Sequence, residues 1–420
     1  MRSSNLSPAI FWAASILFPL TLAGCGNSNQ PAPTTSPKNA EPVKSTAAKI
    51  GQKPTEQECR DWAARFERAA IEGDQDAFNA TIDFGAMLES ATGGIHDVAD
   101  LRKKFIKECK VFEENRGSLA AAIFRPVSAG GSYDFLRAVD VDNQMRVRFR
   151  LLGNDSGLNY HEWIVVRGPK AEVKAVDVYI YLSSELMSKT LRREYLSLVA
   201  NESRSVLAKL TNRENEYVKN SPKMESMLAA ILSGNHSQVP SIYDSLPPSM
   251  KKDKFFLLLN LQAAAASGDD LRHLAAIDEF RKFHPNDSCL TLMSLDYHLL
   301  NKDYGKTIDC CQQMEKAIGG DPYLRCLQGR IHNIKGDPQT ARRLMSEAIQ
   351  AEPTLIGPYW GLVEVSLAEK NFDETNRLLD QLEQQFQIEF EDLTQIPEYA
   401  EYVKSPQYQQ WLKKLNTNRH

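Results

Sequence analysis

The chain has 420 residues, with 50 Lys and Arg against 54 Asp and Glu, a formal charge of −4 and a pI near 6.1. That length predicts two or three domains, and the near-neutral balance argues against a nucleic-acid protein, whose binding domain should be strongly basic. Seven Cys are too few for a small disulfide scaffold, and downstream of the N-terminus no apolar run is long enough to span a bilayer.

Residues 1–24 have the pattern of an export signal. Arg2 precedes the apolar stretch 10–23 (IFWAASILFPLTLA), which is shorter than the roughly 20 residues of a spanning helix and is interrupted by Pro19. The stretch ends in Leu22-Ala23-Gly24-Cys25, which resembles the bacterial lipobox. The resemblance implies a thioether diacylglyceryl on Cys25, cleavage before it, and acylation of the new amino group, typically by palmitate. Several acyl chains anchor far better than one. Gly26 instead of Asp after the Cys implies an outer-membrane address where the cell has one. From the lipidated Cys25 to residue 54 no residue is aromatic, and Pro, Ser, Thr, Lys and Ala dominate. Such a segment cannot bury enough surface to offset its ordering entropy, so a disordered tether is expected.

Residues 55–183 have the pattern of an α+β domain. Thr55 is a plausible N-cap for a helix carrying Trp62 and Phe66 and stopping at Gly73. A second helix from Asp74 or Asp76 carries Phe78, Ile82 and Met87 and ends at Gly93-Gly94, and Asp97 caps a third with Leu101, Phe105 and Cys109. The period then changes to two. Residues 132–141, 145–152, 159–167 and 172–182 alternate as strands, separated by short turns that fit antiparallel neighbours. Residues 119–125 would add an edge strand. Three helices before a meander resemble the nuclear transport factor two-like or cystatin-like superfamily, in which a bent sheet wraps a helix. In that cup His161, Trp163, Asp177, Tyr179 and Tyr181 form a possible pocket, and His161 with Asp177 could do acid–base work if both faced it. A surface or hydrogen-bonded sheet histidine is the alternative. Arg146, Arg148 and Arg150 form a row that could grip an anion or be a solvated strand face.

The second half repeats with a period of 34 residues. Gly234-Asn235, Gly268-Asp269, Lys302-Asp303, Gly336-Asp337 and Lys370-Asn371 fall in register. Tyr304, Pro338 and Phe372 form a second column, and Pro285, Gly319 and Pro353 a terminator column. Helical apolar spacing lies on both sides of each turn. The period and turn resemble the tetratricopeptide repeat, best over residues 322–355, where Gly329, Gly336, Ala341, Ala348 and Pro353 match the family's small, turn and stop positions. Five repeats, 220–389, would stack into an all-α solenoid, the first of them degenerate with Pro240 and Pro247-Pro248. Residues 184–219 form either one long connecting helix or a sixth repeat turning at Ala200-Asn201. Residues 390–420 are expected to cap the array as a helix pair. Cys59 and Cys109 could form a disulfide between the first and third helices of the α+β domain.

No nucleophile elbow, phosphate loop, dinucleotide fingerprint or pair of His at zinc spacing occurs, so no catalytic residue, metal or cofactor is assigned. The reading is an anchored, non-enzymatic adaptor that holds another envelope protein or peptide in its solenoid groove. Small-molecule binding, or hydrolase or isomerase chemistry, in the α+β domain is the alternative.

Overall fold

The structure, a computed structural model, describes residues 52–95, 99–116, 118–153, 157–202, 210–285, 287–390 and 392–418. The signal, Cys25, most of the tether and Asp97 lie outside the described residues. Two compact units share the chain, one ending at Leu290 and the other running from Thr291.

In the first unit α1 (Glu56–Glu72) starts at a complete capping box, with Thr55 and Glu58 satisfying each other's backbone, and stops at Gly73 in the left-handed region. One face of α1 carries Cys59, Trp62, Phe66, Ala69 and Ala70, all buried. The expected second helix is two helices, α2 (Gln75–Ala80) and α3 (Phe84–Thr92). The chain opens between them because Ala175 of the sheet takes both available backbone partners there: its N–H donates to Thr81 O at 2.9 Å and its carbonyl accepts from Asp83 N at 2.7 Å. Residues 81–83 thus cover an otherwise unpaired strand edge. Next come α4 (Ala99–Arg116) and α5 (Ser118–Ser128). Residues 119–125, expected as an edge strand, belong to α5. Three consecutive Ala make this apolar run a strong helix former, and Pro126 comes only near its end.

The sheet is a plain meander, β1 (Ser132–Val141), β2 (Gln144–Leu152), β3 (Leu158–Arg167), β4 (Val173–Ile180) and the two-residue β5 (Glu185–Leu186), all antiparallel in chain order. Asp142 and Asn143 both have positive φ, 51° and 63°, as the tight β1–β2 turn requires. Bulges interrupt β1 between Phe135 and Arg137 and the β3–β4 register between Ile164 and Val165. The inner face packs under α1. The rings of Trp62 and Phe66 stack at 4.7 Å, and Phe66 meets Phe149 and Trp163 edge-on at 5.4 and 4.8 Å. Cys59 and Cys109 are buried thiols rather than a disulfide: Cys59 sits on the inner face of α1, Cys109 among Phe105, Tyr195 and Leu196.

Residues 184–219 are neither one helix nor a repeat turning at Ala200-Asn201. Helix α6 (Met187–Glu202) runs through Ala200, and α7 (Asn212–Leu232) begins afresh at its own capping box, Thr211 with Glu214. Moreover, α6 belongs to the core beside the sheet. Its Tyr195, Leu196 and Val199 pack with Leu88, Phe105 and Cys109 of α3 and α4. Arg192 donates to the carbonyls of Ala91 and Gly93 and pairs with Glu214, tying α3, α6 and α7. Arg193 pairs with Glu185 and lies 4.1 Å over the Phe255 ring.

The remaining helices are α8 (Val239–Asp244), α9 (Pro248–Lys251), α10 (Lys254–Ala266), α11 (Asp270–Phe283), α12 (Ser288–Leu300), α13 (Tyr304–Ile318), α14 (Pro322–Ile334), α15 (Pro338–Ala351), α16 (Gly357–Ala368) and α17 (Phe372–Phe386), of which α10 packs against α11, α14 against α15 and α16 against α17. The expected opening repeat, 220–253, is out of frame: α7 crosses residue 220 with Pro222 inside it, and Pro240 and Pro247-Pro248 leave only short helices behind. At the C-terminus a helix pair was expected. Instead three 3₁₀ turns lead into a single helix, α18 (Pro406–Asn418), because Pro397 and Pro406 each remove a backbone donor. Tyr399, Tyr402, Tyr408 and Trp411 close the end against Leu378, Leu379 and Leu382 of α17.

Candidate functional site

The five residues expected to share one pocket are divided by the sheet. The β3–β4 register pairs His161 with Ile180 and Trp163 with Val178 on the inner face, while Asp177 pairs with Ile164 and Tyr179 with Glu162 on the outer one. Directly paired residues point to the same side. His161 and Asp177 therefore cannot act on one substrate. Tyr179 and Tyr181 do meet, edge-on at 5.3 Å, and Tyr181 lies against Tyr160 at 5.8 Å.

His161 belongs to a buried hydrogen-bond chain whose protons can be assigned. The backbone N–H groups of Tyr160 and Leu182 donate to Asn159 Oδ1 at 2.8 and 3.2 Å, which turns the Asn159 amide nitrogen toward His161 Nε2, 3.2 Å away. That ring nitrogen accepts, so the ring proton lies on Nδ1 and is donated to Tyr133 Oη at 3.1 Å. The same oxygen accepts from Trp163 Nε1 at 2.8 Å. Burial holds the imidazole basicity down to about 3, so the ring stays neutral. This is the hydrogen-bonded sheet histidine. It specifies the packing of an aromatic core and has no free nitrogen to offer.

Asp177 serves a helix end. Its carboxylate accepts from Ser188 Oγ at 2.5 Å, Ser188 N at 3.1 Å and Val178 N at 2.9 Å, at the first turn of α6. Burial raises its pKa to about 6 in spite of these donors. On the same outer face Arg146 and Arg148 share Glu162, at 2.7 and 2.5 Å, and Arg150 pairs with Asp134 at 2.7 Å. The row is therefore not a solvated strand face: Arg150 has no exposed surface and Glu162 is 3% exposed.

In the helical region the in-register pairs have a double role. Lys302, Gly336 and Lys370 all have left-handed φ, 57°, 80° and 56°, and so do Gly234 at 75° and Gly268 at 68°. The next residue closes the preceding helix through its backbone: Asp303, Asp337 and Asn371 donate to His298, His332 and Ser366 carbonyls at 2.9, 2.9 and 2.8 Å. The same residue then caps the following helix through its side chain, accepting from Lys306, Thr340 and Glu374 N–H. Asp269 likewise caps α11. Asn235 makes the first bond but no side-chain cap, so its turn opens only a 3₁₀ helix. Gly73-Asp74 makes the same turn within the first unit, so the 34-residue spacing, more than the turn itself, marks the repeats.

Gly329, Ala341 and Ala348 lie where helices cross. A Cβ on Gly329 would stand 3.0 Å from Met345 Cγ and 3.2 Å from the Ala341 carbonyl oxygen, and Ala341 and Ala348 are fully buried. Pro353 follows the end of α15, and its carbonyl accepts from Tyr359 Oη at 3.1 Å and Gln385 Nε2 at 2.8 Å. The sequence did not single out Gly361, where a Cβ would stand 2.1 Å from Met345 Sδ. No column marks it, because Gly361 packs against a methionine from the preceding repeat and not against a residue of its own.

Among the described residues no group of three or more His, Cys, Asp or Glu is placed to hold a metal, and no helix is long and apolar enough to cross a membrane. No family model matches the chain, and neither does any curated protein or solved structure.

Proposed function

We propose that the chain is an envelope lipoprotein, anchored by acyl chains on Cys25 to a bacterial membrane, the outer one where there are two. In this reading it works as a non-enzymatic adaptor whose tetratricopeptide-like solenoid holds another envelope protein or peptide. The observation that carries it is the turn shared by two helices and recurring every 34 residues at 268–269, 302–303, 336–337 and 370–371. Hairpins of this kind cannot bury their apolar faces alone, so they stack, and a stacked array offers an extended surface suited to an extended partner. The sheet crossed by α1 supports a nuclear transport factor two-like or cystatin-like reading of the first domain. The separation of His161 from Asp177 removes the pair on which the hydrolase or isomerase alternative rested.

Two measurements test the proposal. Cys25→Ser should lose detergent-phase partitioning; equal partitioning of both proteins would remove lipidation as the anchor. In a crosslinking pull-down from envelope extracts, Ala341→Glu, which forces a charge into a packed crossing, should lose the partners that His161→Ala and Asp177→Ala retain. The reverse pattern would sink the adaptor reading.

A further inference from the structure

The outer face of the sheet concentrates guanidinium groups where a sheet ordinarily avoids them. The register sets Arg137 directly opposite Arg148, and like charges so placed repel. Arg146 and Arg150 flank Arg148 on the same face, each roughly 7 Å along the strand. Glu162, across the next pair, does not simply neutralise this row. It divides its two oxygens between Arg146 Nη1 and Arg148 Nε, so it fixes both planes side by side. Arg146 Nε is a buried donor that makes no hydrogen bond within the fold, on a side chain that is 22% exposed as a whole. Tyr179 and Tyr181 border the row on the side of β4.

We propose that this face is a binding site for a phosphate group, with Arg146 as the direct donor, Arg148 beside it, and Glu162 as the residue that positions both. A guanidinium presents paired donors in the geometry that phosphate oxygens accept, and one held in place by a carboxylate loses little freedom on binding. The phosphate can be a free anion or the headgroup of an anionic lipid. The site does not depend on the adaptor reading, since it lies on the sheet and not on the repeats.

The test uses the full-length protein in detergent, titrated calorimetrically with inorganic phosphate, pyrophosphate and acetate, and reconstituted beside phosphatidylglycerol or phosphatidylcholine vesicles. Saturable binding of phosphate or pyrophosphate in preference to acetate is expected. Arg146→Gln should weaken it about tenfold. Glu162→Gln, which removes the carboxylate that holds both guanidinium groups side by side, should also weaken phosphate binding and shrink the thermal shift that phosphate produces. Arg125→Gln, an exposed arginine on α5, should change nothing. Preference for phosphatidylglycerol over phosphatidylcholine, lost in Arg146→Gln, would identify the lipid as the source; binding of the free anions alone would identify a soluble ligand. Absence of saturable binding in every arm, or equal losses in Arg146→Gln and Arg125→Gln, would overturn the proposal.

Discussion

Met345 threads between two glycines of neighbouring first helices, and that arrangement makes a quantitative prediction. It is fully buried, with its Cγ 3.0 Å from where a Cβ on Gly329 would stand and its Sδ and Cε 2.1 and 2.3 Å from where one on Gly361 would stand. Gly361→Ala therefore forces the thioether aside, yet the Gly329 side leaves it no room to retreat. Overpacking of this kind costs about 1–3 kcal/mol, against a gain of about 1 kcal/mol from replacing Gly by Ala within a helix. A net loss of about 1 kcal/mol follows for the single variant. Met345→Ala alone should cost about 2–5 kcal/mol, since it empties the slot. With the slot empty, Gly361→Ala has nothing to strike and should recover about 1 kcal/mol through helix propensity. The two changes are thus coupled by roughly 2 kcal/mol, well outside the few tenths expected for independent sites. Urea unfolding of all four proteins, followed by the fluorescence of Trp360 and Trp411 and by amide exchange across α16, would read the cycle. Additive effects would show that Met345 is not held between the two glycines, and the account of repeat packing would fall with it.

Other outcomes are expected elsewhere in the chain. Asp337→Ala should lose about 1 kcal/mol by removing the cap of α15, whereas Lys302→Gly should gain up to about 1 kcal/mol by relieving a left-handed lysine, both measured by urea midpoint. A fragment of residues 52–183 should fail to give a cooperative melt by circular dichroism, while one of residues 52–290 should melt cooperatively, because Tyr195, Leu196 and Val199 of α6 complete the core around Phe105. In pH dependence, the lowered basicity of His161, about 3 against an ordinary 6.5, means the unfolded chain binds the extra proton, so its share of stability is lost as pH falls below 6.5. Asp177, raised to about 6 from 3.8, has the opposite sign: its share is lost as pH rises from 3.8 to 6. The two offset each other between pH 4 and 6. Asp177→Asn should therefore expose a slope of about 1.4 kcal/mol per pH unit, with stability falling toward acid, and unchanged slopes in that variant would refute the assignment.

Alternation made the four long strands legible, because each half-buried strand must place apolar residues at every second position. What alternation could not reveal was which faces meet. One bulge between Ile164 and Val165 shifts the register, so Ala175 takes the inner position that strict alternation assigns to Val176. The partners of His161 were similarly out of view, since Tyr133 lies 28 residues upstream and only the fold brings it near. Residues 119–125 misled because a short apolar run has no period of its own. The turns that recur every 34 residues were legible, because there conformation constrains residue type directly. The boundary expected at residue 220 was not legible, since α7 carries a helix straight across it.

The turn between paired helices has a consequence for how such a chain can change over generations. Asp303, Asp337 and Asn371 each finish one helix with the backbone and begin the next with the side chain, so the junction has no slack. Adding or deleting one residue there would separate the two tasks and rotate the second helix by about 100° away from its seat. Gain or loss of a full module would disturb neither. These junctions should therefore tolerate large steps and not small ones, and the ragged stretch around Pro240 and Pro247, where the cap is already missing, is where single-residue length variation should accumulate.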